Sequence, residues 1–301
     1  MSLNESDNIA QSKQRIGGIF GRAALTYDQV GPPFFPHFGK RLVDIAKISP
    51  GSKVLDVATG RGALLFPAAE AVGPSGQVVG IDLAETMVQE TFKELARRKL
   101  SPNIEVRQMD AEDLQFPDES FDYVFCGFAI FFFPQLNRAM SEFRRVLKPN
   151  GRICISTWDK SFDEQWGWFD EIVRDHLPPQ SESTQPEESN STPQPVFDTP
   201  EGLKSILARA GFENIQIFSE AKEFVYSTNE EYWLSLWSHG MRGLLERMEQ
   251  ANGKEGLEKF KSDVFRKIDV LKKDNGLHRM FSALVGLATK PLIGIVRSIA
   301  G

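Results

Sequence analysis

The chain has 301 residues, 41% of them apolar and 25% charged, which is enough to bury a sizeable core as one large domain or two small ones. Its formal charge of −6 gives no general attraction to phosphate backbones or anionic lipid, so nucleic acid is not an expected partner. No apolar run approaches the roughly 20 residues that span a bilayer, and the polar start "MSLNESDNIAQSKQR" lacks a signal-peptide core; a cytoplasmic location is the expectation.

From Ser49 to Trp158 strand-like and helical patterns alternate: "KVLDVA", "LLFPAAEAV", "GQVVGIDL", "TMVQETFKELARRKL", "NIEVRQMDA", then "SFDYVFCGFAIFF", "LNRAMSEFRRVL" and "GRICISTW". That order predicts a parallel sheet covered by helices on both faces, joined by right-handed crossovers. "KPNG" at Lys148 to Gly151 is expected to end one helix before the next strand. Cys126 and Cys154, the only cysteines, fall in apolar strand-like runs and read as reduced packing residues.

A Trp-rich helical stretch, "DEQWGWFDEIVRDHL", precedes "QSESTQPEESNSTPQP", whose Ser, Pro and Glu content predicts a mobile loop. "TPEGLKSILARAGF" carries a Thr cap, a Pro in the first turn and a terminal Gly211, and leads into the alternating strand "ENIQIFSEAKEFVYS". Asn229 to Gly276 reads as helical and amphipathic, and "MFSALVGLATK" as a strand. The expected organisation is an N-terminal helical segment (1–48), a cofactor-binding core (49–158), an inserted helix and mobile loop (159–196), a core helix and sixth strand (197–228), a helical lid (229–276), and a last strand with a tail (277–301). The tail "KPLIGIVRSIAG" is expected to pack on the domain rather than lie on a membrane.

The stretch "VLDVATGRG" has Gly60 and Gly62 of a dinucleotide-binding loop, but Leu65 stands where a third glycine would. Asp56, at the end of the preceding strand, would repel a phosphate and favour a cation such as an α-ammonium group; its alternative role is to cap the turn. Asp82, about 20 residues past the glycines, is placed to accept from ribose hydroxyls. The acidic loop "MDAED", Asp110 to Asp113, could accept from an adenine amino group or be a solvated turn. Three acids at the carboxyl ends of successive strands converge on the switch point of an open sheet, where ligands bind.

The runs "VLDVATGRG", "VVGIDL", "MDAEDLQFPDESFDYVFCGFAIFFFP" and "EFRRVLKPNGRI" resemble class I S-adenosylmethionine-dependent methyltransferases, in particular the UbiE/COQ5-like small-molecule branch. The resemblance implies a doubly wound, seven-stranded, mostly parallel Rossmann-like sheet with a helical lid, S-adenosyl-L-methionine as cofactor, and methyl transfer to a small apolar or aromatic metabolite, natural-product or quinone-like, at N, O or C. It implies cofactor contacts from Asp56, Gly60 and Gly62 around the methionine part, Asp82 at the ribose, Asp110 with Ala111 at the adenine and Met87 against the adenine face, and from Ala58, Leu83, Glu112, Gly127 and Phe128 with no part of the cofactor assigned. In "FGRAALTYDQVGPPFFPHFGKRL" the resemblance implies a Tyr-Asp pair closing over the cofactor, with Tyr27 either reaching its carboxylate or anchoring the first helix.

In-line transfer needs orientation more than a covalent intermediate. His37, in "FFPHFG", is the candidate base if one is used. "CGFAIFFFP" lacks the Asn-Pro-Pro-Tyr type of loop of enzymes acting on nucleobase or amide nitrogens. Phe35, Phe131, Trp166, Trp233 and Trp237 are candidate substrate-pocket residues, with lid or sheet packing as their alternative. No metal-ligand set can be assembled, and the oligomeric state is open. Rival readings are a binding module that transfers nothing, a nicotinamide-dependent oxidoreductase, which Asp56 and the missing third glycine disfavour, and an RNA-modifying enzyme, for which only "ARRKL" speaks.

Overall fold

The computed structural model describes residues 5–98, 103–160, 167–177 and 196–292; the expected mobile loop, Trp166 and most of the expected tail lie outside them. Seven strands form one sheet: β1 (Lys53–Val57), β2 (Gln77–Asp82), β3 (Ile104–Gln108), β4 (Phe121–Gly127), β5 (Leu147–Trp158), β6 (Glu213–Tyr226) and β7 (Leu277–Thr289). Their order is β3-β2-β1-β4-β5-β7-β6, parallel throughout except that β7 runs antiparallel to both β5 and β6. The seven-stranded, mostly parallel, doubly wound sheet is the one the family resemblance implies, and its parallel part is the one the alternating pattern predicts.

The central strands are apolar on both sides because both faces are covered. Along β4, Val124 and Cys126 point to the face packed by α5 (Leu136–Val146) and α7 (Pro200–Arg209), through Phe143, Ile206 and Leu207. Tyr123 and Phe125 point to the other face, against Leu42 of α2 (Phe34–Ala46) and Leu65 of α3 (Leu65–Val72). Each such ring or branched side chain contributes roughly 1.5–3 kcal/mol by leaving water. Cys126 and Cys154 are buried free thiols, and burial pushes Cys154 up to about 12.

The helix before β5 ends at Val146, ahead of "KPNG" rather than within it. Leu147 is already extended, and Lys148 precedes Pro149, whose ring disfavours helical backbone one residue earlier. Helix α7 starts as its sequence predicts: the Thr199 side chain accepts from the Gly202 N–H, and Gly211 follows the helix with φ +79°.

Two further helices, α8 (Asn229–Trp237) and α9 (Arg242–Leu271), stand between β6 and β7, and α6 (Gly167–His176) packs beside them. Together they make a core of their own around Phe260, Leu245, Met248 and Trp233, with Phe169 reaching in from α6. Helix α9 breaks at Gly253, where φ is +68°. The remaining helices are α1 (Glu5–Ala23), which packs on α4 and α9, and α4 (Glu85–Arg98) after β2.

Candidate active site

Strand order reverses between β1 and β4, so the loops at their carboxyl ends diverge and leave a cleft of about 770 Å³, mouth included. The backbone at its floor is left-handed at residues that rarely adopt that shape: Ala58 has φ +54° and Phe128 φ +51°. Such backbone costs on the order of 1–3 kcal/mol and is held by its surroundings. Phe128 donates its N–H to the Ser156 carbonyl, and its ring packs on Phe34 and Trp158.

Gly60 and Gly62 follow with φ +52° and +84°, and a Cβ on Gly62 would lie 2.5 Å from the Phe66 ring. Asp82 ties this loop to the next element. One carboxylate oxygen accepts from the Gly60 N–H at 2.9 Å and the other from the Ala84 N–H at 2.9 Å. Burial raises Asp82 to about 6, against the pull of the N–H groups of Ala84, Gly60 and Leu83.

Over the glycines lies the Tyr27 ring, with Cε1 3.7 Å from where a Gly60 Cβ would be. It stacks on Phe35 at 5.1 Å, and burial raises its hydroxyl well above the ordinary range, so the phenol stays protonated. Next to it Asp28 is raised to about 7 by burial, opposed by Arg61. The expected Tyr-Asp pair thus sits on the glycine loop.

At the far end Asp110 accepts from the Glu112 N–H at 2.9 Å, and Glu112 from the Gln135 N–H at 2.6 Å. Lys13 of α1 reaches down to both acids, 2.6 Å from Asp110 and 2.5 Å from Glu112. Helix α1 comes this close because it carries glycines where it crosses α4: a Cβ on Gly21 would lie 2.9 Å from the Thr86 hydroxyl.

Of the residues singled out in the sequence, Tyr27, Ala58, Gly60, Asp82, Leu83, Met87, Asp110, Ala111, Glu112, Gly127 and Phe128 line this one cleft. Asp56 and Gly62 do not. Asp56 is fully buried behind the loop, one oxygen accepting from the Thr59 hydroxyl at 2.6 Å and the other without a hydrogen-bond partner. Burial, with the Asp82 charge adding to it, raises it to about 7, against the Thr59 hydrogen bond and the nearby Leu65 N–H.

His37 lies away from the cleft, on α2, edge-on to Phe38 and Phe224, with burial first and then Lys222 and Arg41 lowering its basicity. Trp233 packs on Phe260 inside the core that α6, α8 and α9 share, and Trp237 lies under the Arg242 guanidinium at 5.2 Å. Phe35 backs Tyr27, and Phe131 faces an adjoining groove. Unforeseen in the sequence were Lys13, Ile16, Gly17 and Phe20 of α1, all of which line the cleft. The signal was the glycine set Gly17, Gly18 and Gly21 in an otherwise helical run, unfavourable by about 1 kcal/mol each unless a close approach needs them.

Asp82 beside the glycine backbone at one end and the Asp110–Glu112 loop at the other suit an adenosine ligand. Fold and cleft together define a Rossmann-like, S-adenosylmethionine-dependent methyltransferase. The chain belongs to the family described as "Methyltransferase domain", which matches residues 48–227.

Nocamycin O-methyltransferase of Saccharothrix syringae is 35% identical over 236 residues, 77% of this chain and 84% of that protein. Aklanonic acid methyltransferase DauC of Streptomyces sp. (strain C5) is 42% identical over 145 residues, 48% of this chain and 66% of that one. Demethylmenaquinone methyltransferase of Staphylococcus carnosus is 31% identical over 217 residues, covering 69% and 88%. Among solved structures, Haemonchus contortus phosphoethanolamine N-methyltransferase 2 with S-adenosyl-L-methionine shares the fold at TM-score 0.52 and 18% identity, over 97% of this chain and 61% of that chain. Among the described residues no helix is long and apolar enough to cross a membrane, and no group of three or more His, Cys, Asp or Glu could hold a metal.

Proposed function

We propose that this methyltransferase acts on an oxygen nucleophile of a largely apolar, aromatic metabolite of natural-product or quinone-like type. The observation that carries the reading is the wall facing the glycine loop, built from Phe20, Phe128, Phe132, Phe133 and Pro134. The names of the relatives, an O-methyltransferase of nocamycin and a methyltransferase of aklanonic acid among them, support it.

Asp82 would hold the ribose hydroxyls, and Asp110 with Ala111 and Met87 the adenine. Ala58, Gly60 and Tyr27 would surround the methionine part, with Asp56 supplying negative charge behind the loop. When bound, the cofactor supplies a sulfonium methyl open to attack from the side opposite sulfur. The protein's own contribution is to orient and to exclude water, worth roughly 7–11 kcal/mol when two reactants are held in line. The cleft lining holds no histidine, and the protonated Tyr27 phenol is no base, which suits an acceptor oxygen acidic enough to ionise without one.

The test is incubation with S-adenosylmethionine and a panel of phenols, enols and aromatic acids, reading S-adenosylhomocysteine release. Turnover confined to oxygen acids of aromatic frame is expected. Turnover on amines or aliphatic acceptors alone would overturn the acceptor class.

A further inference from the structure

A second groove of about 920 Å³, mouth included, runs between α1, the turn after β4 and the start of α9. Ile16, Phe20, Phe132, Phe133 and Pro134 line both it and the cofactor cleft, so the two are continuous. Phe20 and Phe132 meet edge to face at 5.0 Å and form the partition between them. The groove's apolar side is completed by Ile19, Phe131 and Leu244. Gly243 lets α9 approach α1, since a Cβ there would lie 2.6 Å from Ile19.

At the mouth of this apolar groove stand two cations, Arg15 of α1 and Arg247 of α9. Both are exposed, and neither has an ion-pair partner among the described residues. The acid nearest in sequence on α9, Glu246, is already taken by Arg22 at 2.6 Å and by Arg242 at 3.6 Å. An arginine fork pairs with carboxylates and other planar anions, and an aromatic anion matches the groove in both shape and charge.

We infer that this groove binds the aromatic body of an anionic acceptor, its charged group drawn to Arg15 and Arg247 and its reacting end directed past Phe20 and Phe132 toward the cofactor. The inference rests on the methyl-transfer reading and narrows it, from apolar aromatic metabolites to those carrying an acid.

Fluorescence titration of the protein saturated with S-adenosylhomocysteine tests this with two probes of one ring frame, anilinonaphthalene sulfonate and uncharged phenylnaphthylamine. The wild type should bind the sulfonate about tenfold more tightly, an amount that two exposed charge contacts can supply. The Arg15→Gln/Arg247→Gln double variant should lose that preference while its affinity for the neutral probe stays unchanged. Gly240→Leu, whose Cβ would stand 3.5 Å from both Phe20 and Phe132, should weaken both probes by filling the groove. Equal affinity for the two probes in the wild type, or a sulfonate preference that survives the double substitution, overturns the inference while leaving the functional reading intact. Failure of S-adenosylhomocysteine itself to bind overturns the functional reading, and this one with it.

Discussion

Asp56→Asn separates what the buried acid does to the fold from what it does for the cofactor. In the ligand-free protein the carboxyl is raised from 3.8 to about 7, chiefly by burial. A gap of about 3 units at about 1.4 kcal/mol each makes the ionised form unfavourable by about 4 kcal/mol. Because the folded value is raised, this cost is absent below about pH 4, grows as pH rises, and levels off above about pH 7. Asparagine keeps an acceptor for the Thr59 hydroxyl but buries an amide N–H₂ where the carboxylate oxygen has no partner, costing about 1–3 kcal/mol at every pH.

The two stability curves should therefore cross, the variant being less stable near pH 4 and more stable by about 1–3 kcal/mol at pH 8. Urea unfolding of the ligand-free proteins at several pH values measures this. Affinity for S-adenosylhomocysteine should meanwhile fall about tenfold or more with loss of the charge behind the loop. A stability difference that does not change between pH 4 and 8 would refute the argument from burial.

Lys13→Met should leave Glu112 Oε2 without its cation, costing about 1 kcal/mol or more, and amide exchange should speed up along α1 but not in the core of α8 and α9. Gly62→Ala should lower stability by about 1–3 kcal/mol through the left-handed backbone alone, with further loss from contact with Phe66, seen as a lower Tm. His239 is pushed down to about 4, first by burial and then by Arg279, and its Nδ1 accepts from the Met241 N–H at 3.3 Å. Its stabilising share is whole above about pH 6.5 and is lost as pH falls toward 4, so limited proteolysis of α8 and α9 in that window should become less pH-dependent in His239→Gln.

Much of the site was legible because its parts are local. The glycines after β1, Asp82 at the end of β2 and the acidic loop after β3 each follow a strand whose apolar run is evident in the sequence, and parallel pairing then brings the three together. What was not legible depends on contacts distant in the chain. Lys13 meets Asp110 across 97 positions, and only the glycines of α1 hint that this helix lies down on α4. Trp233 carries no mark that would distinguish a pocket wall from the partner of Phe260. Asp56 shows why a strand-end acid is ambiguous: alternation along β1 fixes the face it points to, but not whether loop backbone covers it.

Strand β7 is the last of the seven to be made, yet it lies between β5 and β6. During synthesis β6 has no neighbour to pair with until α8 and α9 have left the ribosome, at roughly 5–20 residues per second. For those seconds β5 exposes one bare edge and β6 two, which invites pairing between nascent chains. A ribosome stalled within α9 should therefore display a half-zipped sheet, and chaperone demand for this protein should peak there.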